Sequence, residues 1–198
     1  MMNIKKPTIA LILFFVSTAA WAHPGHGVGG LIQGFLHPMN GLDHLMTAVA
    51  VGVWAAQIGG QALFAFPAVF VLAMVLGGFA GFDGYSLPFQ ESGILLSMTF
   101  LGFALLLSFR MSIRAALPII ALFGILQGNA HGSEMASGLS AASYSLGFTL
   151  STSLLHMGGI AGVILMKRIL GESYSRYGVQ ALGTIIVASA GLMGLGVF

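Results

Sequence analysis

The chain of 198 residues is 57% hydrophobic and only 6% charged, whereas a soluble domain has about 25% charged residues. These values exclude an ordinary water-soluble globule and an intrinsically disordered chain. The sequence contains no cysteine, which excludes disulfide frameworks, thiolate metal sites and catalytic thiols. The net charge of +2 arises from so few groups that it gives no indication of a nucleic-acid partner, and we expect none.

The N-terminal segment has the pattern of a secretory signal peptide. Two lysines at positions 5 and 6 precede an apolar run over residues 9–20, and the Ala-Trp-Ala sequence at residues 20–22 has the form of a cleavage site. We expect residues 1–22 to be removed, so that the mature chain begins at His23 outside the cytoplasm. The alternative, an uncleaved membrane helix, is disfavoured because the apolar core has about 12 residues and a span needs about 20.

Six later segments are long, apolar and nearly free of charge. A Lys, Arg, Asp or Glu at the bilayer centre costs about 2.5 to 3.5 kcal/mol on insertion scales, so charges mark the ends of membrane spans. The predicted transmembrane helices are residues 38–58, 62–82, 92–109, 115–133, 135–166 and 177–198. The fifth segment exceeds the roughly 20 residues that a span needs, so we expect residues 135–138 to lie in a loop. We therefore predict one domain over residues 23–198, an all-α bundle of six transmembrane helices.

The distribution of charges between alternate loops predicts the orientation. With the mature N-terminus outside the cytoplasm, all five basic residues of the mature chain fall in cytoplasmic loops, and the opposite loops carry only acidic residues. The basic residues are Arg110, Arg114, Lys167, Arg168 and Arg176, and the acidic ones are Asp83, Glu91 and Glu134. This asymmetry follows the positive-inside rule, so we expect both mature termini on the non-cytoplasmic side.

Several glycines recur at four-residue spacing within the predicted spans. They form the sets Gly77/Gly81, Gly124/Gly128/Gly132 and Gly158/Gly162. Small residues at this spacing let membrane helices approach closely, so we expect all three sets to pack against other helices. The pattern does not distinguish contacts within one chain from contacts between copies, so a homo-oligomer remains open.

The sequence His37-Pro-Met-Asn-Gly-Leu-Asp43-His44 carries the densest group of ionisable residues. Pro38 suits the first position of a helix, so we expect His37 near the N-cap of the first span and His44 two turns further on the same face. Asp43 lies about 100° around the helix from His44, so the two side chains point in different directions. They can serve one site only if both reach a site shared with a partner helix, or if one of the two side chains orients the other. The alternative is a structural His–Asp pair that ties two helices together.

Two further histidines lie within later spans. His131 and Glu134 are three residues apart near the end of the fourth span, a spacing found in metal sites of helix bundles, although a solvated helix end has the same pattern. The predicted topology places them at the same side of the membrane as His44. His156 is a lone imidazole in the fifth span, where it is either a hydrogen-bonded core residue or a further step on a permeation path.

Imidazoles and carboxylates without thiolates favour borderline divalent ions such as Ni²⁺, Co²⁺ and Zn²⁺. After signal cleavage, the free amine and imidazole of His23 could chelate an ion together, with His26 nearby, although an unstructured terminus is an equal alternative. The residues themselves thus predict a metal-handling membrane protein without naming the metal.

The ionisable motifs together resemble those of the HupE/UreJ family of bacterial membrane proteins. They are His-Pro-Gly-His at residues 23–26, His-Pro-x-x-Gly-x-Asp-His at residues 37–44 and Asn-Ala-His-Gly-x-Glu at residues 129–134, and the likeness extends over the whole chain. The resemblance implies a nickel, or in some members cobalt, permease that accompanies hydrogenase or urease systems. It also implies that the metal-handling positions are His37, Asp43, His44, His131 and Glu134.

We therefore expect a multi-pass permease of the bacterial inner membrane that draws Ni²⁺ or Co²⁺ from the periplasm as its substrate. His23 and His26 would capture the ion, the five positions above would replace its hydration shell, and His156 would relay it inward. We expect no enzyme activity and no organic cofactor. A metal sensor or delivery protein that does not conduct is the main alternative, and an intramembrane metalloenzyme with Glu134 as base is another.

Overall fold

The computed structural model describes residues 28–197, which form seven helices. These are α1 (Val28–Asn40), α2 (Leu42–Ile58), α3 (Ala62–Phe82), α4 (Gln90–Leu106), α5 (Ile113–Ser133), α6 (Ala141–Leu170) and α7 (Glu172–Gly194). The predicted signal peptide, His23 and His26 lie outside the described residues.

Four helices, α3, α5, α6 and α7, are long and apolar enough to cross a membrane. Two more, α2 and α4, are apolar but have 17 residues each. At 1.5 Å per residue they are about 25 Å long, slightly less than the hydrocarbon thickness of about 30 Å. The described part of the chain is thus an all-helical membrane protein.

Helix α2 occupies the centre of the bundle. It contacts α3, α4, α6 and α7. The five helices around it form a ring in which each helix contacts the next, in the order α3, α5, α4, α7 and α6. Ten of its 17 residues are buried, including His44, Thr47 and Trp54, so most of this helix faces protein rather than lipid. Polar side chains on α2 are therefore held inside the bundle.

Glycines bring α3 and α5 into close contact. A Cβ atom at Gly124, Gly128 or Gly132 would collide with the backbone of α3, at Phe70, Met74 and Gly78 respectively. Because the residue numbers rise together along both helices, α3 and α5 run in the same direction. Gly158 and Gly162 do not pack against another helix within residues 28–197, since an added Cβ at either position meets no atom within 4 Å there.

The predicted start of the first span is wrong, because residues 28–58 form two helices rather than a loop followed by one helix. Pro38 lies inside α1 instead of opening a span, and His37 is a residue of α1 instead of an N-cap. Since Pro38 has no amide hydrogen, the carbonyl of Gly34 loses its helical donor. The helix ends two residues later, and Gly41 adopts an extended conformation (φ −88°, ψ 115°) before α2 begins.

The two helices together run alongside the 30-residue α6. Gly147 of α6 contacts the backbone of α1, and Gly159 contacts the backbone of α2 near Val49 and Val53. Helices α1 and α2 therefore form one broken helix, with the break at Gly41 next to His37 and His44.

The remaining helix bounds differ from the prediction by a few residues. Residues 135–138 lie outside α6, as expected, and residues 139 and 140 also precede the helix, which begins at Ala141. Helix α4 ends at Leu106, and α7 begins at Glu172, earlier than predicted, because Gly171 with φ +85° is enough to turn the chain after α6.

Candidate functional site

Three helices bring three imidazoles together at one end of the bundle. The ring centroids of His37 on α1 and His131 on α5 are 4.7 Å apart, and those of His44 on α2 and His131 are 4.5 Å apart. His37 and His44 are 5.9 Å apart across the break at Gly41. We call these three residues the histidine cluster. They meet because the chain turns between α1 and α2, not because they share a helix face.

Glu134 reaches this cluster through His37. It lies one residue beyond α5, and its Oε2 atom is 3.1 Å from Nε2 of His37. The sequence pairs Glu134 with His131 on a common helix face, whereas the structure turns the carboxylate towards a different helix. The hydrogen bond from His37 lowers the pKa of Glu134 below its ordinary value, against the opposing effect of partial burial.

Asp43 orients His44. The Oδ1 atom of Asp43 lies 2.8 Å from Nδ1 of the imidazole and also accepts a hydrogen bond of 2.8 Å from the backbone N–H of His44. If Nδ1 carries the proton, Nε2 presents its lone pair to the interior, and a carboxylate partner makes that nitrogen a stronger ligand. Nε2 of His44 is buried and has no hydrogen-bond partner within residues 28–197.

His131 is the innermost member of the cluster. It is 0% exposed, and neither ring nitrogen has a hydrogen-bond partner in the described part of the chain. Its ring stacks on Phe148 of α6, with a centroid distance of 5.0 Å and an interplanar angle of 18°. Phe148 thus forms an apolar floor that holds the imidazole beneath His37 and His44.

The ring spacing suits one shared ion, but the donor atoms are not yet directed at one point. Imidazole nitrogens bind Zn²⁺-like ions at about 2.0–2.1 Å, so rings that share an ion have centroids about 4–6 Å apart. Among residues 28–197, no three histidine or acidic side chains are already arranged to hold an ion. Nε2 of His37 is engaged with Oε2 of Glu134, so binding of an ion through that nitrogen would require this pair to separate.

His156 does not join the cluster. It lies on α6 eight residues after Phe148, which is about 12 Å further along the helix axis. Its ring packs edge-on against Phe70 of α3 at 5.0 Å, and its backbone contacts Gly52 of α2. It is completely buried, and neither ring nitrogen has a hydrogen-bond partner among the described residues.

Asn129 has a structural role beside the histidine cluster that the sequence analysis, which noted it only as part of a motif, did not assign. Its side chain accepts hydrogen bonds from the Leu87 N–H at 2.7 Å and from Gln90 at 2.5 Å, and it donates to the carbonyl of Tyr85 at 2.7 Å. It thereby fastens the loop between α3 and α4 to α5, two residues from His131. The sequence does contain a signal for this role, because an amide side chain within an apolar helix is expected to be buried, and a buried amide needs hydrogen-bond partners.

Comparison with known proteins assigns the chain to a family. Residues 10–193 match the family described as HupE / UreJ protein. Over 192 residues the chain is 32% identical to Protein HupE of Rhizobium leguminosarum bv. viciae, and the aligned region covers 97% of this chain and 99% of the relative. No solved structure matches the chain. The chain therefore belongs to the HupE/UreJ family.

Proposed function

We propose that this protein is a permease that moves Ni²⁺ or Co²⁺ across the bacterial inner membrane into the cytoplasm. The observation that carries the proposal is the histidine cluster, in which imidazoles from α1, α2 and α5 lie 4.5–5.9 Å apart beside Asp43 and Glu134. Buried ionisable groups are costly in a membrane and are typical of ion pathways. Imidazole and carboxylate donors favour borderline divalent ions.

In this proposal the polypeptide crosses the membrane six times. The broken helix formed by α1 and α2 is the first span, α3 to α7 are the others, and both mature termini face the periplasm. One observation supports this orientation. A single cavity is lined by Arg110 in the loop between α4 and α5, Lys167 near the end of α6 and Arg176 near the start of α7, and these positions lie at the end of the bundle opposite the histidine cluster. His23 and His26 would then precede α1 on the periplasmic side and capture the ion.

The geometry indicates how an ion would enter. Glu134 is half exposed at the mouth, and it attracts a cation while holding His37. The ion exchanges part of its hydration shell for Nε2 of His37 and then for the nitrogens of His44 and His131 that have no partner among residues 28–197. Because the donors come from separate helices and are not fully preorganised, binding is modest, and modest binding allows release.

His156 would relay the ion towards the cytoplasm, where it would become available for hydrogenase or urease maturation. This link comes from the family resemblance and from the choice of donors. A non-conducting metal sensor or delivery protein would use the same cluster, so transport itself must be measured.

The test is metal flux into sealed vesicles that contain the purified protein. A permease accumulates Ni²⁺ in proportion to time, whereas a binder saturates at a fixed amount per protein. We expect His44→Ala and Glu134→Gln to lower the initial flux by about tenfold or more, the size of effect expected for a lost ligand or its charged partner. Asp83→Asn is the matched control, since Asp83 is an exposed carboxylate at the end of α3.

Equal flux in Glu134→Gln and Asp83→Asn, together with wild-type flux in His44→Ala, would remove the basis of the proposal. Competition by excess Co²⁺ and Zn²⁺ in the same vesicles distinguishes the metals. Flux without any dependence on the cluster would indicate a different path through the protein.

A further inference from the structure

The end of the bundle opposite the histidine cluster contains a small cavity with a basic lining. Its volume is about 60 Å³, several times the roughly 10–15 Å³ that one water molecule needs. The charged side chains that line it are Arg110, Lys167, Glu172 and Arg176. Because three of these groups are positive and one is negative, the cavity attracts anions and repels cations. It is therefore suited to an anion rather than to a divalent metal ion.

The three basic side chains come from three different segments of the chain. Arg110 lies in the loop between α4 and α5, Lys167 in the last turn of α6, and Arg176 near the start of α7. Arg110 and Arg176 are exposed residues, so the cavity opens towards the surface between them. An anion that enters there meets positive charge from several directions at once.

Two hydrogen bonds hold the loop that carries Arg110 against its neighbours. The indole N–H of Trp54 on α2 donates to the carbonyl of Phe109 at 3.0 Å. On the other side, Nε2 of Gln180 on α7 donates to Oγ of Ser108 at 3.4 Å. The wall that Ser108 and Arg110 form is thus fixed relative to α2 and α7.

The arginines are available for a ligand. Nζ of Lys167 lies 3.3 Å from Oε1 of Glu172, so this lysine is already paired, although an ammonium group has three donors and can serve a second acceptor. Within residues 28–197, neither Arg110 nor Arg176 takes part in an ion pair. A guanidinium group presents its N–H donors as a planar fork that matches the oxygens of a phosphate.

A buried hydroxyl on the cavity wall also lacks a partner. Ser175 is 1% exposed and lines the cavity, and its Oγ atom has no hydrogen-bond partner in the described part of the chain. A buried hydroxyl without a partner is costly, so this group is expected to meet a ligand or water in the cavity. Ser175 also lies in the first turns of α7, and Gly171 before that helix has no side chain to cap it. The positive end of the helix dipole therefore adds to the attraction for an anion.

We propose that this cavity binds a phosphate group. The oxygens of a phosphate point in tetrahedral directions, so they can accept hydrogen bonds from Arg110, Lys167, Ser175 and Arg176 on different sides of the cavity. A phospholipid headgroup and a free phosphate share this chemistry. Basic pockets between membrane helices at the cytoplasmic surface are typical binding sites for anionic headgroups. The inference concerns an anion at the far end of the bundle, so it does not depend on the proposed permease function.

The first assay measures binding of inorganic phosphate to the purified protein in detergent by calorimetry. Arg176→Gln removes one charge from the cavity lining, and Arg168→Gln is the matched control. Arg168 is exposed and adjoins Lys167, but it is not part of the lining. We expect Arg176→Gln to lower the affinity about tenfold or more, as for the loss of a hydrogen bond to a charged group. Arg168→Gln should remain within about threefold of wild type, since a distant exposed charge is screened.

Ser175→Ala tests the directed hydrogen bond without changing the net charge. We expect the affinity for phosphate to fall about tenfold. The thermal midpoint without phosphate should be unchanged or higher, because the substitution removes a buried hydroxyl that lacks a protein partner. The midpoint thus separates a lost ligand contact from a damaged fold.

A second assay identifies the source of the phosphate group. The thermal midpoint is measured in bilayer discs of phosphatidylcholine, with and without phosphatidylglycerol. A bound anionic headgroup raises the midpoint of wild type and Arg168→Gln, but not that of Arg176→Gln, when phosphatidylglycerol is present. If phosphate binds in detergent and phosphatidylglycerol has no effect, the site takes a free phosphate instead. Either result supports the phosphate site.

Two results would overturn the inference. Equal affinities of Arg176→Gln and Arg168→Gln would show a diffuse attraction to surface charge rather than a site. Failure of wild type to respond to either inorganic phosphate or phosphatidylglycerol would show that the cavity holds only water. Neither assay contains a metal ion, so both results are independent of whether the protein transports Ni²⁺.

Discussion

Replacing Gly128 with alanine tests how the contact between α3 and α5 positions His131. An added Cβ at Gly128 would overlap the carbonyl group of Met74, and a backbone carbonyl cannot move away by changing a rotamer. The two helices must therefore separate, and overpacking of this kind costs about 1–3 kcal/mol. His131 lies three residues further along α5, so the separation would also move its ring away from His37 and His44.

The effect is best measured against Gly158→Ala. Gly158 lies in the middle of α6, and an added Cβ there meets no atom within 4 Å. Both substitutions gain about the same helix propensity, up to about 1 kcal/mol, so the difference between the variants isolates the overpacking. We expect the free energy of unfolding in mixed detergent micelles to be about 1–3 kcal/mol lower for Gly128→Ala than for Gly158→Ala, with weaker Ni²⁺ binding in the former only. Equal unfolding free energies would refute the close helix contact and with it the argument that glycine packing positions His131.

Three further predictions follow from individual hydrogen bonds. Asn129→Ala should destabilise the protein by about 1–3 kcal/mol and speed amide hydrogen exchange in the loop between α3 and α4, because backbone groups in that loop lose their partner. Asp43→Asn should weaken Ni²⁺ binding, measured by calorimetry, about 10- to 100-fold while the fold persists, since His44 loses the carboxylate that orients it. Trp54→Phe should lower the free energy of unfolding by about 0.5–1.5 kcal/mol, and with it the thermal midpoint, because the indole N–H donates a hydrogen bond of 3.0 Å to the carbonyl of Phe109. A midpoint equal to that of the wild type would contradict this hydrogen bond.

The predicted positions of α3 and α5 agree with the structure almost residue for residue. Charges and glycine breaks bound these apolar segments, and a membrane helix must be continuous over a length that the bilayer sets. The break at Gly41 was not predictable in the same way. Pro38 is acceptable both at a helix start and near a helix end, and only the contacts of α1 with α6 select the second alternative.

The sequence by itself determined that the chain is an all-helical membrane protein, and it singled out His37, Asp43, His44, His131 and Glu134, because apolar surroundings make ionisable residues conspicuous. Only the tertiary structure decided which of these groups face one another. Glu134 contacts His37 rather than His131, and within residues 28–197 Gly128 packs against a helix while Gly158 does not. The physical reason is that bilayer hydrophobicity acts on each helix separately, whereas pairing depends on close packing between residues distant in the chain.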